Sequence, residues 1–566
     1  MGAMPDTPSA LPRQVADAYV DALVELDPVT GTYLGVQESH ALLPDYSPAG
    51  QEELAVLARE TLARLDAAER LPGADTDVER RCARLLRERL TAELAVHEAG
   101  EGLRTVSNIH SPAHSLRMAF TVTPTGTRDD WSAVAERLRA VPAALDGYRE
   151  SLALGLERDL PGGPRATATF VEQLTEWAGG AEGNRRGWFE EFAAEGPADL
   201  RTELDTAARG ATAAVAELRD WMRDVYAPAV KDAPDTVGRE RYARWSRYHN
   251  GTDLDLDEAY AYGWEEFHRL LGEMRQEADK ILPGSGPWEA LAHLDVHGQH
   301  IEGAEETRAW LQGLMDEAIE ALDGTHFELA DRVRKVESRI APPGSAAAPY
   351  YTGPSEDFSR PGRTWLPVDG ETRFPVYDLV STWYHEGVPG HHLQIAQWVH
   401  VADRLSRYQA TVGQVSANSE GWALYAERLM DELGFLPDPE RRLGYLDAQM
   451  MRACRVIVDI GMHVEMEIPA HSPFHPGERW TPALAQRFYQ QHSSRPPAYV
   501  ESEMVRYLSM PGQAIGYKLG ERAWLLGREK ARAAHGAAFD AKKWHMAALS
   551  QGSLGLDDLV DELSRL

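Results

Sequence analysis

The sequence predicts a mainly α-helical protein, a large multi-helix body with a small β element ahead of one histidine-rich helix. Three observations carry this. Apolar residues recur at helical spacing over long segments rich in Ala, Leu, Arg and Glu. Clusters of Pro and Gly separate those segments. One stretch, 341–375, breaks the pattern with Pro, Gly and interleaved aromatic residues.

In chain order, the periodicity predicts helices over 77–100, 129–157, 200–226, 255–282, 306–322, 377–405, 414–433 and 440–467. Leu160-Pro161-Gly162-Gly163-Pro164 and Pro283-Gly284-Ser285-Gly286-Pro287 read as loops. No period of 20–50 residues recurs, so a solenoid is not supported. Within 341–375, Pro349-Tyr350-Tyr351 and Arg363-Thr364-Trp365-Leu366-Pro367 fit one or two short strands, or else an ordinary Pro-rich connector. Peptidases of the zinc class often hold substrate as a strand added to such an edge. A boundary near 285–303 divides a helical cover, 1–290, from a region with the chemistry, 291–566, the two packed as one body.

The 566 residues favour more than one core or one large multilayer body. A hydrophobic fraction of 43% with 26% charged residues is that of a folded, soluble chain. No run of about 18 apolar residues occurs, so no membrane span is expected. Residues 1–13 lack the basic-then-apolar order of a signal peptide. Met1-Gly2-Ala3 fits a cloning scar ahead of a native Met4, and Asp6 breaks the myristoylation pattern. Two distant cysteines, Cys82 and Cys454, argue for buried thiols in a reducing cytoplasm. The net charge of −31 argues against nucleic acid or an anionic membrane as partner.

The most informative segment is Tyr384-His385-Glu386-Gly387-Val388-Pro389-Gly390-His391-His392. Hydrolytic zinc sites take imidazoles and a carboxylate and leave one position to water. A glutamate beside the first histidine is the usual base for that water. Zinc-binding helices normally space two histidines four apart, but Pro389 occupies that position here. On an ideal helix His391 would point about 240° away from His385, and His392 would lie about 10 Å along the axis. The Pro389-Gly390 pair invites a kink or wide turn. A two-residue bulge would return His391 to the ion and a three-residue bulge His392; the smaller distortion favours His391. The other histidine would then touch substrate or support a ligand.

A carboxylate ligand is expected from the helix that follows. Glu420 and Glu427 are seven apart on one face of it. Glu420 adjoins Gly421, which permits close helix approach, and is assigned to the metal. Glu427 either orients a ligand histidine or lies on a solvated face.

At these residues the chain resembles the domain-of-unknown-function 885 family. The resemblance rests on H-E-G-V-P-G-H-H-L-Q from His385 and on S-E-G-W-A-L-Y from Ser419. Further blocks extend it: Asp27-Pro28, Leu43-Pro44-Asp45-Tyr46-Ser47-Pro48, Tyr350-Tyr351, Ser359-Arg360-Pro361-Gly362, Val458 to His463, and Glu503 to Lys518. That bacterial family is similar to the gluzincin metallopeptidases, the thermolysin-like and angiotensin-converting-enzyme-like group. The resemblance implies a mostly helical, metallopeptidase-like protein and little about its substrate; by fold-level analogy, a long helical body around a deep central cleft would favour short peptides.

Amide hydrolysis also needs an oxyanion donor. Tyr517, after the breaker Pro511-Gly512, is the first candidate; His463 and Tyr507 follow. Arg506 could hold a substrate carboxylate in a bidentate fork or pair with Glu503 one turn earlier. Arg360 is a second carboxylate binder, and Tyr351 is placed beside substrate. The expected activity is a cytoplasmic, Zn²⁺-dependent hydrolase of peptide or related amide bonds, one ion per chain. Its ligands are His385, one of His391 and His392, and Glu420, with Glu386 as base. A non-peptide amide or ester hydrolase, or tailoring enzyme, and an inactive helical binding protein stand as rivals. No phosphate loop, nucleophile elbow or CxxC pair competes.

Overall fold

The computed structural model describes residues 10–180, 185–341, 348–368 and 370–566. The Met1-Gly2-Ala3 reading and Asp6 lie outside these residues, as do 342–347 and 369 of the Pro-rich stretch. The described chain is mainly helical, and two compact units divide it. The first comprises 1–74, 90–237 and 501–511; the second comprises 75–89, 238–500 and 512–566. The units interleave along the chain, and the long segment of the second begins at 238 rather than near 290. The 255–282 helix packs on the 440–467 region, so it belongs with the second unit. Among the described residues no helix is long and apolar enough to cross a membrane.

In the first unit, three helices show how the sequence builds the core: α1 (Pro48–Ala68), α2 (Arg128–Glu157) and α3 (Arg201–Trp221). Thr127 and Asp130 cap α2 reciprocally, each side chain accepting the other's backbone N–H. Leu138, Leu145 and Leu152 of α2, seven apart, share its buried face with Val134 and Val141, and Ala208, Ala211 and Val215 of α3 join the same core.

The second unit is built on α4 (Leu256–Ile281), α5 (Ala304–Leu322), α6 (Val376–Glu386), α7 (His391–His400), α8 (Ser416–Glu432), α9 (Pro439–Val464) and α10 (Gly516–His535). The 377–405 prediction is thus two helices with a break between them. From Leu443 to His463 every residue of α9 is buried, on all sides, against α4, α6 and other neighbours. Helices α8 and α10 meet at Gly421 and Gly520. A Cβ on Gly421 would overlap the Gly520 backbone, so this crossing requires bare backbone on both sides.

The Pro-rich stretch and its flanks hold more strand than the sequence suggests. β1 (His300–Glu302) pairs antiparallel with β5 (Arg373–Pro375). β4 (Gly362–Leu366) lies between β2 (Val336–Ile340), parallel to it, and β3 (Tyr350–Thr352), antiparallel. The outer edge of β2 is occupied by Gln312 of α5, which donates to the Val336 carbonyl and accepts from the Ser338 N–H. β5 runs directly into α6, and Trp383 of α6 donates to Ser338 Oγ at 3.0 Å. The strands therefore fix the start and one side of the His385 helix.

The helix crossing yields a test. Gly421→Ala should destabilise the protein by about 1–3 kcal/mol through overpacking, although alanine is the better helix former. Gly210→Ala in α3, where a Cβ meets open space, should stabilise by about 0.5–1 kcal/mol. Urea unfolding checks both signs, and a stabilising Gly421→Ala would contradict the packing.

Candidate metal centre

The turn between α6 and α7 decides where the histidines point. Gly387 N–H closes α6 on the Trp383 carbonyl at 2.9 Å; Gly390 N–H then reaches back to the Tyr384 carbonyl at 3.0 Å, and His392 N–H to the Gly387 carbonyl at 3.1 Å. These wide loops restart the helix at His391 in a new phase. The turn packs so tightly on α6 that a Cβ on Gly390 would overlap the His385 carbonyl oxygen. Two other helices pin it. Trp422 of α8 donates its indole N–H to the Pro389 and Gly390 carbonyls at 2.9 and 3.1 Å, and Met315 of α5 sets its sulfur 3.4 Å from Val388 N.

The consequence is a cluster of three donors. His385 Nε2 and His391 Nε2 lie 3.4 and 3.5 Å from Glu420 Oε2, and all three donor atoms lie within 4.8 Å of one another. The imidazole rings meet edge to face, centroids 4.7 Å apart. Separations of this length are long for hydrogen bonds. They match the spacing of about 3.4 Å between two donors each about 2.1 Å from one tetrahedral ion. Glu420 Oε2 is buried without a hydrogen bond, as an atom reserved for an ion would be. The residues present therefore fit zinc in donor type and spacing. Side-chain exposure rises from 4% at His385 to 12% at His391 and 21% at Glu420, so the open side of the cluster lies at Glu420.

Behind His385 the structure supplies an orienting chain. His385 Nδ1 donates to Glu427 Oε1 at 2.8 Å, Ser381 Oγ donates to Glu427 Oε2, and Arg452 Nη2 stands 3.7 Å from Glu427 Oε1. The bond at Nδ1 leaves Nε2 facing the cluster. Burial alone would lower the His385 pKa, but Glu420 and Glu427 override it and push it up to about 9. Burial would raise Glu420, yet the two imidazoles hold it well below the usual carboxylate range. Glu427 is also held low, because Arg452, His385 and Ser381 outweigh its burial.

Glu386 differs from both. It is 8% exposed, and its carboxylate makes no hydrogen bond or ion pair with the described residues. Burial pushes its pKa up, partly opposed by His385 and His391. Tyr517 lies next to the cluster, its ring parallel to His385 at 6.4 Å, with the Arg455 guanidinium 4.7 Å from the ring centre.

Five predicted site residues are placed otherwise. His392 is no ligand: Nε2 donates to the Val333 carbonyl at 2.7 Å, leaving Nδ1 to meet the Tyr351 hydroxyl at 3.0 Å. Burial takes its pKa down to about 4, which keeps the ring neutral. Tyr351 is spent on this contact. His463 is buried beside Asp459 (3.7 Å) and Tyr242, eight residues or about 12 Å along α9 from Arg455. Tyr242 and the Gly512 N–H also bind Asp459, so the cluster ties helices together. Arg506 and Tyr507 belong to the first unit, where both engage Glu503, at 3.1 and 2.5 Å. Arg360 lies half-buried on the loop before β4. Ser381, Arg452 and Arg455 were not singled out from the sequence. For the two arginines the signal is α9 itself, an apolar helix with Arg452, Arg455 and Asp459 where no polar face exists; Ser381, on α6, carries no such mark.

The comparisons agree with this architecture. The chain belongs to the family described as bacterial protein of unknown function (DUF885), whose model matches residues 28–563. The fold is similar to that of the "putative lipoprotein from Colwellia psychrerythraea", with 20% identity and a TM-score of 0.82 over 98% of this chain and 99% of that one. It is also similar to the "putative lipoprotein of unknown function from Shewanella oneidensis", at 18% identity and a TM-score of 0.72 over 98% and 100%. No curated protein matches the chain.

Zinc titrations should rank the donors. His391→Ala should weaken binding by more than about 100-fold, Glu427→Gln by about 10–100-fold as an outer partner, and His392→Ala by less than about tenfold. The reverse order for the two histidines would contradict the geometry. Because His385 must shed a proton to bind an ion, apparent affinity should climb about tenfold per pH unit above neutrality and level off near pH 9. A flat profile would contradict it.

Proposed function

We propose that the protein is a zinc-dependent hydrolase of peptide or related amide bonds in small substrates, with His385, His391 and Glu420 as ligands. Zinc held there would lower the pKa of a water molecule and polarise a carbonyl group. The observation that carries the reading is Glu386. A largely buried carboxylate that makes no hydrogen bond or ion pair among the described residues, beside a cluster of metal donors, has no structural task of its own. Burial raises its pKa above the usual carboxylate range, in the direction that suits a group taking up a proton and giving it away again.

Glu386 accepts the proton of the attacking water and delivers it to the departing nitrogen. Tyr517 supports the oxyanion reading by its position beside His385. Arg455 restrains the Tyr517 ring from one face, which limits the directions its hydroxyl can take. Glu427 keeps the His385 ring in one orientation. The wider likeness to gluzincin peptidases, including a deep cleft, rests on the motif and supports a peptide-type substrate by analogy.

Glu386→Gln removes the base and spares the donors. It should retain one zinc per chain and lose about 10²–10⁴-fold in turnover of a peptide found by library digestion. Turnover within about threefold of the parent would show that another group is the base.

A further inference from the structure

His392 fastens two basic segments to the helix that begins with His391. One ring nitrogen binds the Val333 carbonyl and the other the Tyr351 hydroxyl, at 2.7 and 3.0 Å. The backbone at Gly362 lies against the same ring, so closely that a Cβ there would overlap His392 Nδ1 and the Tyr351 hydroxyl. Arg332 immediately precedes Val333, and Arg360 precedes Gly362 by two residues. Each arginine Cα is therefore within about 7 Å, along the chain, of a residue touching the imidazole.

Neither Arg332 nor Arg360 has a carboxylate partner among the described residues. Three acids around Arg360 are engaged elsewhere. Glu337 accepts from Arg339 and Arg363 at 2.8 and 3.0 Å, Glu356 pairs with Arg407 at 3.2 Å, and Asp357 accepts from Ser355 Oγ and Ser359 N–H. The Arg332 guanidinium rests over Phe358, 5.1 Å from the ring centre. The loop that presents Arg360 is built: Arg360 N–H donates to Ser355 Oγ at 2.9 Å, and Ser355 N–H to the Arg360 carbonyl at 3.0 Å. Burial first, and then the neighbouring Arg363, disfavour the charge on Arg360, and these outweigh Tyr351 and the already engaged Glu337, which favour it. In a chain with 31 more acidic than basic residues, counter-charge is plentiful. A half-buried guanidinium left without it is placed to receive an anion from outside.

Resting on the hydrolase reading, we infer that Arg360, assisted by Arg332, is the subsite for the terminal carboxylate of a short peptide substrate. The substrate class is then a peptide with a free C-terminus, cleaved near that end. A planar guanidinium grips a carboxylate through two N–H groups at once, which fixes direction as well as charge. An acidic side chain would present the same carboxylate, so the test separates the two sources.

Binding is read in the zinc-loaded Glu386→Gln protein, so that a failure of hydrolysis would strike the hydrolase reading and leave this measurement standing. Immobilised protein is offered three mixed pools of N-acetylated tetrapeptides, with retention read by mass spectrometry. The pools have free C-termini, amidated C-termini, or amidated C-termini with glutamate last. The free acids should be retained about tenfold or more over the amides. Adding Arg360→Gln should erase the difference at unchanged zinc content, and Arg360→Lys should restore part of it. Equal retention of acids and amides would overturn the inference, as would no retention of any pool or a preference that survives Arg360→Gln. A glutamyl-amide pool held as tightly as the free acids would overturn the terminal assignment.

Discussion

Everything at the candidate metal centre depends on one backbone constraint: the chain must leave α6 after Glu386 and re-enter a helix at His391. A continuous helix would carry the two imidazoles to different faces. The interruption resets the helical phase, and Gly390 lets the returning chain lie on the His385 carbonyl. What holds the turn comes from elsewhere in the sequence. Trp422 reaches its carbonyls from α8, the same helix that brings Glu420, so the third donor and the clamp on the turn arrive together. The Gly421–Gly520 crossing lies between these two residues and sets how closely α8 approaches α10. Packing, turn and donor placement are thus one problem with one solution.

Three glutamates around His385 occupy three environments. Glu427 is fully partnered, by an imidazole, a hydroxyl and a guanidinium. Glu420 faces two imidazoles and keeps an oxygen without a hydrogen bond. Glu386 makes no hydrogen bond or ion pair among the described residues. The same side-chain type is therefore held ionised as a support, held ionised as a donor, and left with a raised pKa beside them. This division of environments gives the proposed roles their physical basis, since separated pKa values are what let like groups do different work at one pH. The arginines that stabilise the arrangement, Arg452 and Arg455, come from α9, which has no exposed face on which to lose them.

Much of this was legible in the sequence because it was local. Helical periodicity located helices such as 128–157, 256–281 and 439–464 within a few residues, but it passed over Pro48–Ala68 and Gly516–His535. The His385–His392 spacing, incompatible with a straight helix, pointed to Pro389-Gly390 as the break, although the bulge expected there is a full interruption. Glu420 was distinguishable from Glu427 by its glycine neighbour. What was not legible was set by partners distant in sequence. His392 is excluded as a ligand by Val333 and Tyr351, Arg506 is engaged by Glu503, and His463 lies in a cluster with Tyr242. The long segment of the second unit begins at 238, and it includes the 256–281 helix because that helix packs on α9, a tertiary preference with no local mark. The strands were under-read because each spans only three to five residues, too short for an alternating pattern to establish itself.

The central claim, that His385, His391 and Glu420 share one zinc ion, is tested most directly by X-ray absorption at the zinc edge on stoichiometrically loaded protein. The account predicts a first shell of nitrogen and oxygen only, at about 2.0–2.1 Å, with outer scattering from two imidazole rings. In the His391→Ala protein one imidazole contribution should vanish. A spectrum without imidazole scattering, or one unchanged by His391→Ala, would contradict it.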